Sequence, residues 1–91
     1  MNTILIPEQL RKILGGEHSI SMEITSISDL ISQLSIKYPP IIGRLVNEKT
    51  GELNKFVNIY VNGEDIRFLN SLKTEVKDGD DISIIPSVAG G

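Results

Sequence analysis

The sequence predicts an α+β domain: one mixed sheet of about five strands, covered by one main helix, followed by a short tail. Three observations carry this reading. Only one stretch, Ile27–Leu34, has clear helical spacing, while several short stretches alternate or run in β-branched residues. The 91 residues are too few to build two independent cores. Hydrophobic residues make up 40% and charged residues 23%, which is ordinary globular usage and argues against disorder or a fibrous repeat. Isoleucine dominates the apolar set and Ala89 is the only alanine, a bias toward strands.

Thr3–Ile6 reads as a first strand stopped by Pro7, followed by an irregular stretch or single turn through Glu8–Leu14 and a reversal at Gly15-Gly16. From Ser19 to Thr25 the alternation is strict, with Ile20, Met22 and Ile24 on one face, so this is a half-buried strand. Ile27, Leu30, Ile31 and Leu34 share one helical face, with Ser26 placed as N-cap and Asp29 in the first turn. Tyr38-Pro39-Pro40 ends that helix, because the residue before a proline is pushed out of the α region. Ile41–Val46 is expected to add a short helical turn, and Asn47–Leu53 an exposed loop around Gly51.

Phe56–Val61 is a strong strand with Val57, Ile59 and Val61 on one face and Phe56, Asn58 and Tyr60 on the other. Asn62-Gly63 is the preferred pair for a type I′ hairpin, so Asp65–Phe68 is expected to return as its partner strand. Lys77–Asp80 turns the chain into Asp81–Pro86, with Ile82 and Ile84 inward and Ser83 and Ile85 outward. The order strand, strand, helix, strand, strand, strand is that of a β-grasp, or ubiquitin-like, fold, with the last strand parallel to the first. Residues 1–87 form the domain and 88–91 a flexible tail.

The inventory for catalysis is thin. With no cysteine there is no disulfide, thiolate metal site, cysteine nucleophile or cysteine-ligated iron–sulfur cluster. His18 is the only histidine and has no serine signature around it. The carboxylates Glu75, Asp78, Asp80 and Asp81 match no calcium loop, so no metal is expected. Arg44, Lys49, Lys55 and Arg67 are scattered charges. Gly15-Gly16 lacks the strand-to-helix context of a phosphate loop. A net charge of -3 argues against nucleic acid as a partner. The N-terminal apolar run is too short for a signal peptide and nothing approaches a membrane span, so a soluble cytoplasmic protein is expected.

The last four residues differ in kind. Gly90-Gly91 after a core strand adds unfolded-state entropy with no folding purpose, but it makes sense if the Gly91 carboxylate is the reactive group. Without a Cβ, Gly90 threads a narrow channel and leaves the terminal carbon unhindered. Fully extended, Val88–Gly91 spans about 13 Å, enough to enter a partner's active site while the domain stays outside.

Phe56–Asn62, Glu64-Asp65, Arg67-Phe68, Asp78-Gly79-Asp80 and Ile85-Pro86 leading to Val88-Ala89-Gly90-Gly91 resemble the ubiquitin-like sulfur carrier proteins of the MoaD/ThiS family, most of all its cysteine-biosynthesis branch. The likeness covers the chain but is specific only from about Phe56 onward. It implies a protein co-substrate rather than an enzyme. A ubiquitin-activating-type adenylyltransferase/sulfurtransferase would use ATP and magnesium to adenylate Gly91, and a persulfide sulfur would displace AMP on the way to a thiocarboxylate. In the cysteine branch the acceptor is an aminoacrylate on pyridoxal phosphate (PLP) in a cysteine synthase, and a zinc metalloprotease releases the product. These cofactors belong to the partners and none is expected on this chain.

Gly91 is then the reactive site, Gly90 gives access, and Val88 and Ala89 lie in the partner's channel. Phe56, Tyr60 and Ile85 are expected to form a docking patch beside the tail. Three alternatives stay open: a carrier for molybdopterin, thiamin or homocysteine synthesis, a ubiquitin-like modifier joined to lysines, and a β-grasp interaction module without carrier chemistry.

Overall fold

A computed structural model describes residues 1–86, so the expected tail and its boundary at Ser87/Val88 lie outside the described residues. Five strands form one sheet in the order β2-β1-β5-β3-β4. They are β1 (Asn2–Leu5), β2 (Ser19–Met22), β3 (Val57–Val61), β4 (Glu64–Asp65) and β5 (Asp81–Pro86). The helices are α1 (Glu8–Arg11), α2 (Ile27–Lys37) and α3 (Ile42–Leu45). β5 runs parallel to β1, with Ile4 beside Ile82, and antiparallel to β3, with Ile59 opposite Ile84. This is the expected ubiquitin-like β-grasp.

Alternation decides which face is buried. Ile4, Ile59, Ile82 and Ile84 have essentially no exposed surface and meet Ile27, Leu30, Ile31 and Leu34 of α2 in one core. Each such side chain removed from water contributes about 1.5–3 kcal/mol before entropy is subtracted. α2 starts where Ser26 Oγ accepts the Asp29 N–H at 3.0 Å, while the Asp29 carboxylate accepts the Thr25 N–H at 2.9 Å. Two of the helix-start region's backbone donors are thereby satisfied. α2 stops at Tyr38, ahead of Pro39 and Pro40, which open a single 3-10 turn leading into α3.

Three expectations need correction. The second strand ends at Met22 rather than Thr25, although Ile24 is buried as its alternation required. Asp65–Phe68 is not a full partner strand: β4 is only Glu64–Asp65, and Ile66–Phe68 is a 3-10 turn whose first amide positions Asp65 caps through the Arg67 N–H at 2.9 Å. The hairpin itself is as expected, with φ of 51° at Asn62 and 85° at Gly63, both positive as a type I′ turn demands. Phe56 belongs to a turn, and the strand begins at Val57.

The open end of the sheet is held by polar contacts. Asn2 is 2% exposed, and its amide donates to the carbonyls of Lys77 (2.8 Å) and Asp80 (3.1 Å) while its oxygen accepts the Ile24 N–H (3.4 Å). Asn2 therefore ties β1 to the turn before β5 and to the end of β2. Asp80 accepts the Lys77 N–H and an Asn62 side-chain N–H, each at 2.9 Å, which hold its carboxyl below the ordinary value. Asp78 is lowered by its hydrogen bond to the Met1 ammonium, and that ammonium is raised by the same contact.

Asn2→Ala strands two carbonyls and one N–H, and should lower unfolding free energy by about 2–3 kcal/mol in urea titrations. The lowered carboxyls add stability above the unfolded aspartate value of about 3.9, and lose it as pH falls through their folded values. The raised ammonium adds stability that is complete below about 8 and disappears as pH rises past its folded value. Urea midpoints should therefore be flat through mildly acidic and neutral pH and decline on both sides, with Asp80→Asn flattening the acid limb.

Candidate functional site

β5 occupies the middle of the sheet, bonded on one side to β1 and on the other to β3, and Pro86 at its end lies opposite Val57. Ser87–Gly91 follow Pro86 directly in sequence, so the described chain ends on the central strand rather than on an edge strand. The surroundings of Pro86 are the described surface nearest in sequence to that segment.

The outer sheet face, which no helix covers, is polar on β2 and apolar near Pro86. Ile85 is 45% exposed, Leu5 of the parallel neighbour is 50% exposed, and Tyr60 is half-buried. Asn58 faces Ile85 and Ser83 faces Tyr60 across the β3–β5 ladder, so Ile85 and Tyr60 are diagonal neighbours on one face. Leu5 stands beside Ser83 from the other side. Leu5, Pro7, Ile85 and Pro86 line an open, almost wholly apolar groove of about 230 Å³.

Phe56, 50% exposed, enters this neighbourhood differently. It sits at the tip of the Asn54–Val57 turn, closed by the Val57 N–H on the Asn54 carbonyl at 3.1 Å, and directly precedes the residue paired with Pro86. The Lys55 ammonium lies 5.4 Å from its ring centroid. Of the expected patch, the structure thus brings Tyr60 and Ile85 onto one sheet face and leaves Phe56 on an adjoining turn. Val88, Ala89, Gly90 and Gly91 lie outside the described residues.

Two contributors were missed in the sequence. Leu5 carried a usable signal: if Ile4 and Ile6 point inward, the strand residue between them points outward. Arg67 carried none, because its guanidinium reaches the start of β3, ten residues away in sequence at Val57.

Elsewhere the described residues offer little chemistry. His18 is exposed, and its carbonyl accepts the Ile6 N–H at 2.9 Å. Among the described residues, no three His, Cys, Asp or Glu side chains converge as a metal site would require. No helix among them is long and apolar enough to cross a membrane.

The chain is 44% identical over 90 residues to the sulfur carrier protein CysO of Mycobacterium tuberculosis, covering 98% of this chain and 97% of that one. Its structure superposes with a TM-score of 0.89 and 42% identity on a chain of the crystallised Amycolatopsis orientalis BexX/CysO complex, covering 100% of each. It is also 33% identical over 79 residues to small archaeal modifier protein 3 of Haloferax volcanii, covering 84% of each. These homologues are sulfur carriers and modifiers of the ubiquitin-like type, not enzymes. The ThiS family model matches residues 4–91, nearly the whole chain, and the chain belongs to the ThiS family.

Proposed function

We propose that this protein is a sulfur carrier whose Gly91 carboxylate is adenylated and then converted to a thiocarboxylate that supplies sulfur for cysteine biosynthesis. The observation that carries the reading is its likeness to CysO along nearly the whole length of both chains, beside a ThiS family match that runs to Gly91.

The chemistry explains why a folded domain would serve as substrate. A carboxylate is a poor electrophile, because its charge repels nucleophiles and oxide does not leave. When the Gly91 carboxylate oxygen attacks the α-phosphorus of ATP, pyrophosphate departs and both obstacles are gone. The outer sulfur of a persulfide then attacks the acyl carbon, AMP leaves, and a second thiol cleaves the resulting acyl disulfide to give the thiocarboxylate. A thiocarboxylate is ionised near neutral pH and nucleophilic, and its attachment to a protein keeps the sulfur from diffusing away as sulfide. The chain has no cysteine of its own to intercept the activated end.

ATP, magnesium, PLP and zinc all belong to the partners: an adenylyltransferase/sulfurtransferase, a PLP-dependent cysteine synthase and a zinc metalloprotease. The crystallised BexX/CysO complex supports the expectation that such a domain works bound to another protein. Leu5, Tyr60 and Ile85, with Phe56 alongside, are the surface we assign to docking the activating enzyme, since exposed apolar side chains gathered beside a reactive end fit an interface.

A second reading, a modifier joined to lysines of target proteins, is favoured by the likeness to the Haloferax modifier. The two share every step up to the adenylate and part at the nucleophile, sulfur or lysine amine.

Intact-mass measurement after incubation with ATP, an activating enzyme and a sulfur donor should show replacement of one oxygen by sulfur in the native chain and none after deletion of Gly91. Isopeptide conjugates formed in place of that change would establish the modifier. Tyr60→Ser with Ile85→Ser should leave the fold intact and raise the KM for activation about 5- to 30-fold, the range set by losing one or two kilocalories of hot-spot contact. Unchanged kinetics would remove this face from the docking site.

A further inference from the structure

Phe56 is a half-exposed aromatic at the tip of a turn, a position where side chains are ordinarily mobile. Here the turn is held from a distant part of the chain. The Arg67 Nη2 donates to the Asn54 carbonyl at 3.1 Å and to the Val57 carbonyl at 2.9 Å, one on each side of Phe56. Its Nη1 donates to Asn58 Oδ1 at 2.5 Å. The Phe56 N–H itself donates to Asn54 Oδ1 at 2.9 Å, and the Asn54 N–H donates to the Leu45 carbonyl at 2.8 Å. Arg67 in turn is placed by its own N–H on the Asp65 carboxylate, at 2.9 Å, where the chain turns away from β4.

The contacts are largely exposed, so water would serve the same carbonyls and the net gain in fold stability is small. What water does not supply is a rigid connection. A planar guanidinium has donors in a fixed fork and holds three acceptors at once, whereas an ammonium acts as a single point charge. Immobilising a side chain before association removes an ordering penalty that would otherwise be met on binding.

We propose that Arg67 is a positioning residue: it braces the Asn54–Val57 turn so that Phe56 stands pre-organised, beside the strand end at Pro86, for docking of the activating enzyme. The proposal rests on the sulfur-carrier reading for the identity of the partner; the brace itself is tested without one.

Two measurements on Arg67→Met and Arg67→Lys test it. Amide hydrogen exchange at Phe56 and Val57, followed by NMR on the isolated protein, should accelerate in both variants while amides of Ile59 and Ile84 keep their native rates. In steady-state activation assays that follow pyrophosphate release, both variants should raise KM by about five- to tenfold with kcat within about twofold of native, the pattern of lost pre-organisation. In a Phe56→Ala background the Arg67→Met effect on KM should shrink below about twofold, since the residue being positioned is gone.

Unchanged exchange at Phe56 and Val57 overturns the inference and leaves the carrier reading standing. An undiminished KM effect in the Phe56→Ala background, or full retention of native KM in Arg67→Lys, also overturns it. Failure of the native chain to be activated by an enzyme proven active on another carrier overturns the carrier reading and the docking role with it. Accelerated exchange would in that case still establish the brace.

Discussion

The parallel pairing of β1 with β5 is the constraint on which the other features depend. Parallel neighbours cannot be joined by a tight turn, so the chain between them must cross the sheet, and α2 lies over the inner face as part of that crossing. The same pairing puts the first and last strands at the sheet's centre, with β2 outside one and β3 outside the other. Two consequences follow at opposite ends of the β1/β5 pair. At one end Asn2 meets the Lys77–Asp80 turn and closes the sheet with hydrogen bonds. At the other, Leu5 pairs with Ser83 and lines one groove with Ile85 and Pro86, where the described chain ends.

With one main helix available, only one sheet face can be covered, and the alternation of side chains assigns isoleucines and valines to it. The uncovered face is polar at Ser19, Ser21 and Thr3, and apolar where Leu5, Tyr60 and Ile85 gather. A domain this small gains no stability by exposing Ile85 and Leu5 at about half their surface. Their placement around the departure point of the last segment is coherent if the domain's outer face and the end of the chain are read by the same partner.

The parts of this architecture that depend on local patterns were legible in the sequence. Ile27, Leu30, Ile31 and Leu34 specify the helix and its buried face, Ser26 its start, and Asn62-Gly63 the hairpin, because each acts through residues within a few positions. What could not be read is governed by partners distant in sequence. β4 stops after Asp65 because that carboxylate caps the next turn through the Arg67 N–H, an option that strand propensity does not register. Ile24 alternates correctly yet lies beyond β2, its N–H taken by the side chain of Asn2. Phe56 looks like the first residue of a strand until Asn54 and Arg67 are seen to hold it in a turn. Gly90-Gly91 stood out for chemical reasons, not folding ones, and so needed no tertiary information to be noticed.

Pro86 bears on how the fold relates to the end proposed to react. Proline has no N–H, so at the end of β5 it offers no backbone donor beside Val57 of β3, the one strand paired with it there. The central strand of a sheet is otherwise a poor place for a proline, which makes its presence at the last paired position meaningful. β1 accompanies β5 only as far as Ser83, opposite Leu5, so from Ile84 to Pro86 the central strand is paired with β3 alone. On the sulfur-carrier reading, a covalent change at Gly91 falls in sequence beyond Pro86, the last described residue that pairs with β3. On that reading the core formed by Ile4, Ile59, Ile82 and Ile84 contains no residue of the segment that would carry the cargo, so fold and chemistry are assigned to separate parts of the sequence.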